Sequence, residues 1–398
     1  MPEKSGRLLL ALLIGLVAYG PVSTDLYLPS LPAIGRYFGA DDAAVQLTLS
    51  GFLVGFALAM LVHGPLSDRF GRRPVLMVST VLFVAATIVC LLAGSIEAFT
   101  LARVAQGLAA CAGPVVARAV VRDLYEPREA ARVMSLLAAA MTIAPSTGPI
   151  LGGFITTWFG WKANFSLLLI FGLICCLGIC LALPETNRQK DPLALDPVRM
   201  AANYRLLLRS GAFLGYALLA AGSYAGIFTY ISASSFVLIG GLKLSPDVYG
   251  FCFAASVASY ASGSLVSARL ARRLDLDRTI TIGSTILLIA GAIAALLGYL
   301  TTPSVAAVVA PSALYFFGTG LVISNAFARA IGPHPGMAGA ASALIGFLQM
   351  GFAAVFGAIV GQFQDGSPHA LVTGLLAAAL LTLAGRRLAT AGTAKAHL

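Results

Sequence analysis

Charge is scarce in this sequence. Of its 398 residues, 11% are Asp, Glu, Lys or Arg, against about 25% in soluble globular domains. Acidic residues number 16, histidines four and tryptophans two. So little charge, in a chain that is 59% hydrophobic, excludes a soluble globular enzyme, a disordered chain and a nucleic-acid-binding domain. The six cysteines (Cys90, Cys111, Cys175, Cys176, Cys180 and Cys252) lie in apolar runs and match no zinc-ligand spacing. They read as packing residues. No catalytic triad, phosphate loop or His/Cys cluster appears, so no enzyme, metal or cofactor is expected.

Long apolar runs are what the chain has in abundance. A bilayer core about 30 Å thick needs roughly 20 residues of helix. Such runs fall at roughly 8–31, 43–63, 75–95, 98–118, 134–157, 163–183, 211–236, 248–268, 279–300, 303–325, 338–361 and 368–386. Twelve spans with short loops use the whole length, and no soluble domain is hidden between them. Runs of this length exclude a β-barrel, whose strands are about ten residues and alternate. The expected fold class is therefore an all-α membrane protein. Lys4 and Arg7 precede the first run. No small-residue cleavage site follows it, so it reads as a retained span.

The basic residues sort by side. With the N-terminus on one side, 22 of the 26 Lys and Arg fall on that side, Arg118 counted among them. Arg36, Lys162 and Lys243 fall opposite, and Arg103 lies inside a span. The positive-inside rule makes the basic side, and both termini, cytoplasmic. The net charge of +10 is thus a topology signal, not a nucleic-acid footprint. The longest polar stretch lies mid-chain and divides it into an N-terminal six-helix bundle (1–184), a linker (185–210) and a C-terminal six-helix bundle (211–398). Arg69, Arg72 and Arg73 recur 200 residues later as Arg269, Arg272 and Arg273, which suggests a duplicated six-span unit.

Three segments carry specific patterns. Segment 64–73 reads Gly-Pro-Leu-Ser-Asp-Arg-Phe-Gly-Arg-Arg. Gly71 permits a tight turn. Asp68 is expected to pair with an arginine at the membrane edge and to face the positive N-terminal end of a neighbouring helix. The second copy has Ala268 in place of Asp68, so only the first is expected to form a charge lock. Asp25 and Arg103 are charges at membrane depth, functional by default because burial there costs several kcal/mol unless they are paired or hydrated. A rise of 1.5 Å per residue puts both about 8–9 Å inside the outer boundary, so they are expected to share one level of one cavity. Ala144, Gly148 and Gly152 repeat every four residues in a span that also contains Pro145 and Pro149. That gives a smooth face, expected to meet Ala255, Ser259 and Gly263 of span eight.

These segments resemble motif A, motif B (Arg103-Val-Ala-Gln-Gly) and the antiporter motif C (Ala144-Pro-Ser-Thr-Gly-Pro) of the major facilitator superfamily. The run Asp25-Leu-Tyr-Leu-Pro-Ser-Leu-Pro resembles the signature of its Bcr/CflA branch, the bicyclomycin and chloramphenicol exporters. The resemblance implies twelve helices in two six-helix bundles around a central cavity, with alternating access in a bacterial inner membrane. It implies proton-driven drug export, with Asp25 and Arg103 in proton coupling. Gly64, Asp68, Arg69, Gly71, Arg72, Pro145, Gly148, Pro149 and Gly152 would serve gating. Some related exporters carry a second carboxylate two turns before Asp25. Here Gly15-Leu-Val-Ala-Tyr19 has none, which argues against dicationic substrates.

Candidate substrate contacts are Tyr19 and Tyr27 in the first half. In the second they are Tyr216, Tyr224, Phe228, Phe251, Tyr260, Tyr315, Phe316 and Gln349, because apolar drug sites use aromatic walls with a few polar groups. Asn325 is a weaker polar candidate. The expected partners are a small-molecule drug, protons and the bilayer, with the chain acting as a monomer. A proton-coupled carrier of an endogenous metabolite, and a non-transporting membrane sensor, remain the alternatives. The antiporter motif speaks against a symporter, and the lack of an added soluble output domain speaks against the sensor.

Overall fold

The computed structural model describes residues 3–396. Its helices are α1 (Glu3–Val17), α2 (Tyr19–Asp25), α3 (Leu31–Phe38), α4 (Asp42–Met60), α5 (His63–Phe70), α6 (Arg72–Leu92), α7 (Ile96–Ala110), α8 (Ala112–Leu124), α9 (Pro127–Phe159), α10 (Trp161–Ala182), α11 (Pro197–Arg209), α12 (Gly211–Ser235), α13 (Pro246–Leu270), α14 (Leu276–Leu300), α15 (Val305–Ile331), α16 (Ala338–Gln362) and α17 (His369–Ala396). A π-helical turn, Phe236–Gly241, continues α12. Among the described residues there is no β-strand.

Among the described residues, eleven helical segments are long and apolar enough to cross a membrane, and a twelfth is bent. The bent one pairs Arg7–Val17 with Tyr19–Phe38 at 47°, where the sequence predicts one span over 8–31. Its prolines account for the difference. Proline has no N–H and its ring meets the carbonyl four residues back. Pro21 therefore breaks the ladder at Val17, and Pro29 denies a donor to the carbonyl of Asp25. The short α2 lies between those two interruptions, and a 3₁₀ turn, Leu28–Ser30, follows it. By contrast α9 runs through Pro145 and Pro149 as one helix.

Side-chain caps fix several starts. Asp41 accepts from Ala44 N (2.8 Å), Asp275 from Arg278 N (2.7 Å) and Ser304 from Ala307 N (3.3 Å), each satisfying an orphan donor of the first turn. Exposed aliphatic stripes run along α6 (Val78, Val81, Leu82, Val89) and α10 (Ile170, Leu173, Ile174, Leu177). Their three-and-four spacing marks a continuous apolar face that only lipid can solvate.

Helices before residue 184 pack chiefly on one another, as do those after 211; the principal seams between the two sets are α9 with α13 and α4 with α16. The α9–α13 seam is tight at the end remote from the basic loops. There Gly153 faces the Pro246 carbonyl, and Gly250 faces Pro149 and Ile150. Toward the basic end α9 separates. Ser135, Leu136, Ala138 and Ala139 are exposed around most of its circumference, and it is held along Val133 and Leu137. On the α9 side the two sets therefore part toward the basic end and leave a cleft there, while the α4–α16 seam stays in contact, with Met60 against Gly346.

Candidate functional site

Asp25 is the last residue of α2 and is 4% exposed. Thr24 Oγ1 donates to its Oδ1 at 3.0 Å. A Cβ on Gly148 would stand 3.2 Å from the Asp25 Cβ, and one on Gly152 would collide with the Leu26 carbonyl. The small face of α9 is therefore seated on the Asp25 segment. This corrects the expected match with span eight. Pro149, Ile150 and Gly153 make that contact instead, while Gly263 packs on α15 and Ala255 is exposed. From across the seam, α12 and α13 pack on the Leu28–Ser30 turn that follows Asp25. Tyr249 shares a hydrogen bond with Ser234 at 3.0 Å.

Arg103 is fully buried. Its Nη2 donates to the Ser23 carbonyl at 3.1 Å, and its Nη1 donates to Gln106 Oε1. Gln106 passes the chain on to Thr87 Oγ1 at 2.8 Å. The guanidinium lies over the rings of Tyr27 (4.4 Å) and Phe52 (4.5 Å), a desolvated cation–π box. No carboxylate lies within 4.0 Å of it among the described residues. Asp25 and Arg103, expected to share one level of one cavity, thus make no ion pair. Residues two apart on a helix point about 200° away from each other. The Ser23 side of α2 faces Arg103, while the Asp25 side faces α9. Arg103 reaches the acidic segment only through its backbone.

The candidate aromatics divide. Tyr19 stacks on Phe83 (4.6 Å) and meets Phe171 edge-on, while Tyr27 bonds Thr48 at 3.2 Å and packs on Phe165. Both are fully buried among first-half helices and line no opening, contrary to expectation, because Tyr19 faces α6 and α10 and Tyr27 faces α4, α7 and α10. Tyr315 fills the space left by Gly226, and its hydroxyl donates to the Gly222 carbonyl at 3.4 Å. Phe316 packs edge-on to Tyr230, and Phe228 sits on Gly357. These three are helix-packing residues too.

Tyr216 is drawn to the basic end, where its hydroxyl donates to Asp277 at 2.8 Å. Phe251 is 55% exposed and lies edge-on to Phe154. Gln349 is buried, and Asn325 ties α15 to Ser267 of α13 at 2.8 Å. Tyr224 and Tyr260 combine depth with a partly open surface.

At the basic end Arg72 gathers the motif A charges. It donates to Ser67 Oγ (2.7 Å), Asp68 Oδ1 (2.5 Å) and Asp123 Oδ2 (3.0 Å). Glu185, at the end of the sixth span, accepts from the backbone N–H groups of Arg72 (2.9 Å) and Arg73 (3.2 Å). The N-terminus of α6 is therefore capped by Glu185, not faced by Asp68 as expected. Gly71 turns at φ 112°, and a Cβ there would strike the Glu185 carboxylate. Asn187 Nδ2 donates to the Asp68 carbonyl at 2.9 Å, and Thr186 to Asp123 at 3.0 Å. Gly64 meets open space, and Arg69 lies over Phe70 outside this network. In the second half Asp277 pairs with Arg329 instead.

Sequence reasoning missed several of these groups. Glu185 bonds a partner 113 residues away, and no local pattern announces it. Asp123 lay among basic-side residues whose arginines alone were weighed. Arg118, counted with the loops, sits inside the helical span Ile96–Leu124.

The comparisons with known proteins agree with this architecture. A relative in Bacillus subtilis (strain 168), an uncharacterized MFS-type transporter YdgK, is 32% identical over 363 residues, 90% of each chain. A bicyclomycin resistance protein homolog of Haemophilus influenzae is 29% identical over 92% of each chain, and multidrug resistance protein D of Escherichia coli K12 is 30% identical over 92% of each. Among solved structures, a bacterial homolog of the human lysosomal transporter Spinster, inward-facing and occupied, superposes with a TM-score of 0.72 at 17% identity. That superposition covers 99% of this chain and 97% of the other. The profile of the Major Facilitator Superfamily matches residues 11–358, and with that extent of match the chain belongs to this superfamily of membrane transporters.

Proposed function

We propose that the chain is a proton-coupled exporter of lipophilic drugs, such as chloramphenicol or bicyclomycin, in a bacterial inner membrane. Positive-inside places the basic end and both termini in the cytoplasm. The halves 1–184 and 211–398 rock about the 185–210 linker, and drug enters the cleft from the basic end. The observation that carries the reading is Asp25. It is the one carboxylate buried in the interior of the spans among the described residues, and it lies at the seam of the two halves with no cation beside it. An unpaired buried carboxylate favours its neutral form, so it holds a proton until the seam opens to water.

Arg103 positions the segment through the Ser23 carbonyl. Asp68, Arg72, Asp123 and Glu185 hold the cytoplasmic turn as one unit. The likeness to drug-resistance relatives and the seating of the antiporter motif on Asp25 support export over uptake.

The test is drug-induced dissipation of a pH gradient in proteoliposomes. Chloramphenicol or bicyclomycin is expected to release protons through the wild type, while Asp25→Asn retains drug binding and loses the flux. Uphill efflux by Asp25→Asn at normal protein level would sink the assignment.

A further inference from the structure

Arg118 is open where its neighbours are closed. It lies in α8, six residues before the helix ends at Leu124, or about 9 Å inside at 1.5 Å per residue. Its side chain is exposed, while Ala117 and Ala119 on either side of it are buried. Its Nη2 meets Met141 Sδ at 3.4 Å. Met141 is 14 residues into α9, so the guanidinium reaches inward and does not snorkel back to the basic end, as the backward tilt of helical side chains dictates. Along α9, seven residues separate Met141 from Gly148, the neighbour of Asp25, which places Arg118 about 10 Å toward the basic end from that carboxylate.

Arg122 follows four residues later on the same face and is exposed. Like charges at this spacing oppose each other. Among the described residues no carboxylate lies within 4.0 Å of either arginine. Asp123 is engaged by Arg72 and Thr186, and Glu126 sits on the turn beyond α8.

We infer that Arg118 binds substrate, and that the cleft selects lipophilic molecules bearing a planar acceptor group, a carboxylate or a nitro group, over cationic ones. This rests on the cleft being the substrate path. The planar guanidinium matches a two-oxygen acceptor. Arg122 raises the local concentration of anions at the cleft mouth. With Asp25 protonated, the cleft wall carries net positive charge.

The test is equilibrium binding of three probes that share a naphthalene ring to the purified full-length chain: 2-naphthoate, 2-naphthamide and (2-naphthylmethyl)trimethylammonium. The wild type is expected to prefer naphthoate over the ammonium by about tenfold or more, as one charge-assisted bidentate contact supplies. Arg118→Gln is expected to remove that preference while holding naphthamide within about twofold, and Arg118→Lys to restore part of it. Failure of the wild type to bind naphthoate, an unchanged preference in Arg118→Gln, or an equal loss of all three probes overturns the inference. Charge-selective binding that depends on Arg118, without proton-coupled flux, refutes export and leaves the site standing. Proton-coupled drug flux with a charge preference indifferent to Arg118→Gln does the reverse.

Discussion

His63 shows how a single side chain is fixed by what it may donate and accept. It is 8% exposed. Nδ1 lies 3.1 Å from the Ala59 carbonyl and Nε2 lies 3.2 Å from Ser79 Oγ. A carbonyl only accepts, so Nδ1 carries the proton and Nε2 accepts from the serine. Burial pushes the imidazole below its ordinary range. A folded pKa below the unfolded one means the neutral form stabilises the native state. That contribution is present above the unfolded value near 6.5 and is lost as pH falls through the depressed folded value. The thermal midpoint in detergent is expected to fall with acidification below neutrality, with a shallower fall in His63→Gln; superimposable pH profiles would remove this role. Nothing in the sequence announced it, because a histidine bordering a basic turn reads as a solvated one until the Ser79 helix is seen to cover it.

Two elements, α2 and the turn into α6, carry the consequences of backbone chemistry. Gly152→Ala puts a methyl into the Leu26 carbonyl and must part α9 from the Asp25 segment. The expected cost is about 1–3 kcal/mol of stability, with loss of proton coupling beyond what the fall in stability explains. Gly71→Ala combines a positive φ with the Glu185 carboxylate and is expected to cost about 1–3 kcal/mol. Glu185→Gln keeps one of the two acceptor oxygens that serve Arg72 N and Arg73 N and loses the charge at the helix N-terminus, which at this exposed site is worth about 0.3–1 kcal/mol. Thermal unfolding of the three variants checks the ranking.

The helices themselves were legible in sequence. Runs of apolar residues in lipid have only one local solution, so eleven spans fall where expected. The bend at Ala18 was written in Pro21 and Pro29, yet the spacing alone did not say which side of the bent segment would meet Arg103 and which would meet α9. Tyr19 and Tyr27 were misread as cavity aromatics for the same reason. A helix with few charges offers no pattern to tell its lipid, packing and cavity faces apart.

At the scale of the whole molecule, the α4–α16 seam contains a polar group that the fold does not satisfy. Gln46 is fully buried against Gly361, with neither its amide nitrogen nor its oxygen hydrogen-bonded, and Ser50 Oγ beside Gly357 is also unpaired. Leaving a buried amide unpaired costs about 1–3 kcal/mol. Gln46→Leu is therefore expected to raise the thermal midpoint while slowing turnover, since it stabilises the arrangement closed at the non-basic end. A faster transporter, or one with an unchanged midpoint, would show that this seam opens without exposing the amide.

The short helix that ends in Asp25 carries Pro21 in its first turn, and Pro29 beyond it leaves its last carbonyl without a helical donor. The residue proposed to carry the proton is thus also the residue at which the backbone can swivel. Coupling then needs no wire. Neutralising the carboxylate would act directly on the peptide unit that the helical ladder leaves unheld, so the proposed trigger and the gap in the bent span are one amino acid.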